Sequence, residues 1–367
     1  MKIRRHRPAA RSSSAFTLLE ILVSTAVLAI LMLVCLSALD QTQKTWKFSQ
    51  GKVEQFREAR LAFETITRHL SQATLNTYWD YYYADTGSNE PPEDATVQPS
   101  AYVRQSELQF LVAAAPDLLG AGYTPAVYPG HAVFFQAPLG LSENQRELGS
   151  LLNARGFFIQ FGGDSGDRPG FLTERGIREK FRYRLMEYRP PAERAATSLG
   201  NTVYVRPLDW FQQNLATSTQ PVADNIILLL ISPRVTESAA TAANRNATWI
   251  APGYRYHSLD RDNSTGNLEP VQIRQDGTAD QGTQHLLPPV LQITMVAVDE
   301  PSAEKLAQRY NNAAVDILRN SGAVFTEVLR YDQDLALLKD YLKNEQLNYR
   351  VFTSKVAMRN ARWDGRN

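Results

Sequence analysis

One carboxylate stands inside the longest apolar run of this chain. Glu20 lies in Ser14-Ala15-Phe16-Thr17-Leu18-Leu19-Glu20-Ile21-Leu22-Val23, five residues into an apolar stretch covering residues 16–39. An acid at membrane depth costs roughly 2.5–3.5 kcal/mol on insertion scales, so it ordinarily has a partner or a task. A helix of ~20 apolar residues spans a bilayer, and residues 16–39 meet that length. The leader before them carries Lys2, Arg4, Arg5, Arg7 and Arg11 and no acid. That bias holds the N-terminus in the cytoplasm and sends the C-terminal body across the membrane. Without the leader's five cations, the chain's net charge of +1 becomes −4. A mildly acidic body gives no electrostatic case for nucleic-acid binding.

Other residues with chemical potential fail on spacing. Gly163-Asp164-Ser165-Gly166-Asp167 is similar to the nucleophile segment of chymotrypsin-like proteases. A serine nucleophile needs a histidine base in reach and an oxyanion hole. The histidine segment of that family is absent, and a turn between two strands is expected here. His6, His69, His131, His257 and His285 form no pair spaced by three or four and no His-Glu-x-x-His, which argues against zinc. His69 falls beside an apolar helical row and reads as a boundary residue. Residues 260–269, Asp-Arg-Asp-Asn-Ser-Thr-Gly-Asn-Leu-Glu, are rich in oxygen ligands. Calcium loops share that character, but this glycine comes one residue late for an EF-hand, and a solvated turn is expected. No phosphate loop or dinucleotide fingerprint occurs. The sequence therefore predicts no catalytic residues, no cofactor and no metal.

The order basic leader, small residue, Phe, then an acid inside an apolar run resembles the N-terminus of type IV prepilins and of type II secretion pseudopilins. The resemblance implies cleavage by a prepilin peptidase between Ala15 and Phe16 and methylation of the new Phe16 amine. Ala15 departs from the glycine usual before the cut. The resemblance further implies that Glu20 neutralises the Phe16 amine of a neighbouring subunit during assembly. Loss of either charge would leave the other uncompensated in a low-dielectric setting. Partners implied are other pilin-like subunits, the prepilin peptidase and the inner membrane, with the body outside the cytoplasm. Three rivals fit less well. A cleaved secretory signal ending near Val27-Leu28-Ala29 leaves ten further apolar residues unexplained. A lipoprotein signal ending at Cys35 has Val34 where a small residue belongs. A plain signal anchor leaves Glu20 without a role.

Behind the span, Phe56, Phe63 and Leu70 recur every seven residues, and Ala59, Ile66 and Ala73 form a second row. This is an apolar stripe at helical spacing. Glu54, Arg57, Glu58, Arg60, Glu64 and Arg68 fill the solvated face. One helix is predicted over about 16–75, with a possible bend near Gly51. Its first half (16–39) is transmembrane and its second (40–75) amphipathic. The chain has 367 residues, 43% hydrophobic, enough for a real core. Cys35 is its single cysteine, so no intrachain disulfide can form. Candidate strands are 108–113, 132–136, 156–161, 181–188, 225–232 and 290–298. Residues 181–188 alternate as a half-buried strand should, and 225–231 are apolar enough for a doubly covered one. Residues 303–319 and 333–344 read as helices and 348–356 as a strand. Residues 81–100 and 233–289 read as loops, the second with short strands, one around 271–274. The aromatic run 78–83 either caps the core or forms a recognition surface; the core is favoured. The expected fold is α+β, a long N-terminal helix packed on an antiparallel sheet body (76–367) in the manner of pilins.

Four fragments narrow the resemblance: residues 55–81, FRYRLMEYRPPAE at 181–193, LPPVLQITMVAVDEP at 287–301 and NYRVFTSKVAMRNARW at 348–363. Together they are similar to the Verru_Chthon cassette protein C family, itself related to J-type minor pseudopilins. The resemblance implies a non-enzymatic subunit of a secretion or pilus-like apparatus. The competing reading is a signal-anchored extracytoplasmic binding or sensor protein that is not processed.

Overall fold

The structure, a computed structural model, describes residues 18–94, 96–144, 148–166, 168–195, 210–212, 214–242, 244, 246–261 and 281–363. In chain order the elements are α1 (Leu18–Ser71), β1 (Tyr78–Tyr82), β2 (Ala101–Gln105), β3 (Leu111–Ala114), α2 (Ala115–Leu119), β4 (His131–Pro138), β5 (Leu152–Gly162), α3 (Gly170–Glu174) and β6 (Arg182–Tyr188). There follow α4 (Leu215–Ser218), β7 (Thr219–Asp224), β8 (Ile226–Arg234), α5 (Glu237–Ala242), β9 (Tyr256–His257) and β10 (Val290–Val298). The chain closes with α6 (Glu300–Arg309), α7 (Ile317–Ser321), α8 (Tyr331–Asn344) and β11 (Tyr349–Ala357). This is an α+β arrangement. Two compact units divide inside α1, residues 1–53 and 54–367, two residues past Gly51.

Among the described residues, three antiparallel assemblies build the second unit. β1 and β2 form a hairpin, β11-β10-β8 a three-stranded sheet, and β7-β6-β5-β4-β3-β9 a six-stranded sheet. Alternation along β4 sorts its side chains to two cores. Val133, Phe135 and Ala137 enter the main core, while Ala132 and Phe134 point into a second. The second core lies under α2 and a strap of Trp210, Phe211 and Leu215, with Phe211 stacked on Phe134 at 3.8 Å. The main core receives the helical stripe. Ala59, Ala62, Phe63, Ile66, Leu70 and Ala73 are buried there, with Phe56 at its margin. Phe63 meets Phe352 of β11 at 5.8 Å, and His69 stacks on Phe157 of β5. Arg57, Glu58, Arg60, Glu64 and Arg68 stay exposed on the opposite face.

β8 is buried along its length although it ends the three-stranded sheet. A buried edge leaves backbone groups in need of partners. His131 supplies one: its Nδ1 meets the Ile231 backbone, 3.1 Å from the N–H nitrogen, from which it can accept when neutral, and 3.2 Å from the carbonyl oxygen, to which it can donate when protonated there. Burial pushes the His131 imidazolium pKa down to about 4, against weaker upward pulls from the Ile231 and Phe325 carbonyls. Gly130 allows the approach. Its φ is +75°, and a Cβ there would stand 2.5 Å from the Leu229 carbonyl oxygen.

Four expectations are corrected. Residues 181–188 are buried on both faces, because the Arg182 guanidinium meets Glu300 at 2.9 Å and Arg184 meets Asp224 at 3.0 Å. The helix expected over 303–319 is two helices, α6 and α7, interrupted where Asn311 and Asn312 adopt φ of +50° and +60°. The segment expected over 233–289 as a loop with short strands also holds a helix, α5, besides the short strand β9, among its described residues. The aromatic run does not cap the core: Tyr78–Tyr82 is strand β1 with Tyr78, Trp79 and Tyr81 exposed. The strand expected around 271–274 lies outside the described residues.

Candidate functional site

Of the residues singled out for processing and assembly, only Glu20 falls among the described residues. Ala15 and Phe16 lie outside the described residues. Glu20 is the third residue of α1. From Leu18 to Leu39 the large apolar side chains, among them Ile21, Leu28, Met32 and Leu36, are all exposed. Among the described residues this is the helix long and apolar enough to cross a membrane, over Ile21–Gln43. An apolar surface of this extent calls for lipid or other protein around it. Three of its polar side chains bond within the helix: the hydroxyls of Thr25, Ser37 and Thr42 donate to the carbonyls of Leu22, Val34 and Ala38 at 2.8–3.0 Å. A bilayer core demands that bonding, since it offers no water to a stranded donor.

The remaining candidates are placed apart from one another. Ser165 sits in an exposed turn after β5, where its N–H donates to Glu179. His69 stands 3.5 Å from Glu187, which also meets Arg155 at 3.4 Å. Burial pushes the Glu187 carboxyl pKa up, and hydrogen bonding to His69 with the charges of Arg155, His69 and Arg189 draws it below its ordinary value. These groups tie the C-terminal end of α1 to the sheet. Asp260, first acid of the oxygen-rich loop, is engaged by Arg255 at 2.7 Å and His257 at 3.1 Å. Residues 262–269 of that loop lie outside the described residues. Among the described residues, no group of three or more His, Cys, Asp or Glu side chains is disposed to hold a metal ion.

One feature escaped the sequence reading, and a second was weighed there as the less favoured alternative. The buried arginines Arg182 and Arg184 of β6 meet acids from α6 and β7, pairings that no local pattern announces. The exposed rings Trp79 and Tyr81 sit opposite Arg104 and Tyr102 across the β1–β2 hairpin. Their signal was present as a period-two aromatic run ahead of a Gly- and Pro-containing connection.

Comparison with known families adds one finding. The model of the prokaryotic N-terminal methylation motif matches residues 10–36, which include Ala15, Phe16 and Glu20. The match supports a prepilin-type, type IV pilin-like protein, and with α1 it supports membrane anchoring through a single N-terminal helix. No curated protein and no solved structure matches the chain.

Proposed function

We propose that this protein is a minor pseudopilin, a non-enzymatic subunit of a secretion or pilus-like apparatus. It inserts in the inner membrane with residues 1–15 in the cytoplasm, 16–39 in the bilayer, and residues 40–75 with the α+β body (76–367) outside the cytoplasm. A prepilin peptidase cuts between Ala15 and Phe16, and Phe16 is then N-methylated. Glu20 neutralises the Phe16 amine of a neighbouring pilin-like subunit. The protein acts as a tip or low-copy component, since a 367-residue chain is bulky for repeated stacking. Under this reading the chain is related to the Verru_Chthon cassette protein C family and to J-type minor pseudopilins. The observation that carries it is the methylation motif over residues 10–36 running into an exposed apolar helix. Intact mass and N-terminal sequencing of membrane-extracted protein test it. A mature chain beginning at methylated Phe16 is expected. A chain still beginning at Met1, in cells with an active peptidase, overturns it in favour of an unprocessed signal-anchored binding or sensor protein.

A further inference from the structure

The β1–β2 hairpin carries an aromatic face within an acidic chain segment. Successive strand residues alternate sides. Trp79 and Tyr81 therefore share one side with Arg104 and Tyr102, the residues directly opposite them. Trp79 is 55% exposed, Tyr81 45% and Tyr102 53%. The Tyr81 and Tyr102 rings lie 5.0 Å apart, side by side. The reverse side anchors the hairpin, with Ala101 and Val103 buried. Arg104 is withdrawn from solvent: its guanidinium donates to the Gly282 carbonyl, and the Gln281 amide bonds both its N–H and its carbonyl.

Acids outnumber bases along the hairpin's own segment, while the exposed Arg261 stands beside Gly282, the acceptor of Arg104. Residues 76–109 hold Asp80, Asp85, Glu90, Glu93, Asp94 and Glu107 against the single base Arg104. Asp85, Glu90, Glu93 and Asp94 are exposed on the connection between the two strands. An aromatic ring presents a negative face, so exposed rings flanked by carboxylates favour a cation. A planar guanidinium stacks on such rings while its edge donors reach carboxylates.

We propose that this face docks a partner protein through an arginine- or lysine-bearing segment. The cationic head groups lie over Trp79, Tyr81 and Tyr102, and the acids of the 83–100 connection neutralise the flanking charges. This interaction goes beyond the processing and assembly reading and does not depend on it.

The test uses the full chain in uncharged detergent, with a fluorescent, end-capped Arg-Ala-Arg-Ala-Arg peptide as probe and anisotropy as readout. Saturable binding is expected, weakening as salt is raised. The same peptide with citrulline for arginine, planar but neutral, is expected to bind poorly. Cation–π contacts of up to ~2 kcal/mol correspond to a loss of about 5- to 30-fold for the double variant Trp79→Ala, Tyr102→Ala. The variant Asp85→Asn, Glu90→Gln, Glu93→Gln, Asp94→Asn keeps the rings and is expected to lose affinity too; it decides the matter if the ring variant misfolds. Failure to saturate, equal binding of the citrulline peptide, or indifference to both variants overturns the proposal. So does binding of a neutral oligosaccharide at this face in place of the peptide, or loss of self-association as the sole effect of the ring variant. Glu20→Leu is expected to leave peptide binding unchanged, which separates failure here from failure of the assembly reading.

Discussion

Acid should destabilise the body through His131 before it reaches most carboxylates. The ring is buried, with its Nδ1 3.1 Å from the Ile231 nitrogen and 3.2 Å from the Ile231 carbonyl oxygen, and burial favours the neutral imidazole. Burial lowers its pKa from 6.5 to about 4. Between those values the unfolded chain binds a proton that the folded chain refuses, so stability rises with pH across the window. It is complete above 6.5 and declines as pH falls toward 4. At 1.36 kcal/mol per pH unit, that gap corresponds to a loss of about 3 kcal/mol between pH 7 and pH 4. The Glu300 carboxyl contributes little in this window. Burial pushes its pKa up, but hydrogen bonds from Arg182, Asn225 and Lys180 outweigh that and hold it at about 2. The assay is urea unfolding of the full chain in detergent, followed by tryptophan fluorescence from pH 7.5 to 4. His131→Gln keeps an oxygen that can accept from Ile231 and cannot titrate, so its profile should be flatter by about 3 kcal/mol. If wild type and variant lose stability in parallel, His131 is not the acid-sensitive group and its link to β8 is misassigned.

Three further outcomes are expected. Phe63→Asp places a carboxylate against Phe352 in the main core and should cost about 3–5 kcal/mol; an unchanged melting temperature would show that the helical stripe does not hold the body together. Gly130→Ala combines a left-handed φ with a Cβ 2.5 Å from the Leu229 oxygen. A loss of about 2–4 kcal/mol in chemical denaturation is expected, and a neutral effect refutes the close approach. Glu20→Leu should insert and be cleaved normally while its crosslinking to other pilin-like subunits falls sharply. Wild-type crosslinking would make Glu20 incidental.

Legibility in the sequence followed locality. β10 occupies the predicted residues 290–298, where Pro288 and Pro289 mark its start and the Asp299 cap of α6 marks its end. The stripe from Phe56 to Ala73 was readable because one helix face answers to one core. β7 was missed because its six residues, with Pro221 among them, carry little β-propensity and join the sheet through β6. The interruption between α6 and α7 was present in the Asn311-Asn312 pair, two residues that tolerate the left-handed region. The burial of Arg182 and Arg184 was not readable, since their acids come from elements 40 or more residues away. The motif around Ala15, Phe16 and Glu20 was legible because it is a local order of residue types, and the same order underlies the match over residues 10–36.

The two halves of α1 differ in how much they say about direction. From Phe56 onward, apolar residues occupy one face, so the body can seat that half at one rotation about its axis. From Leu18 to Leu39 they occupy every face, and the helix surface is close to uniform around its circumference. Such a cylinder carries almost no azimuthal code. Neighbours of any orientation meet equivalent packing, and rotation about the axis costs little. A charge at position 20 is the exception, a single index mark on an otherwise blank dial. Under the proposed reading, the handedness and angular step of an assembly built on this helix would come from position 20 and from contacts between bodies, with the greasy surface supplying cohesion.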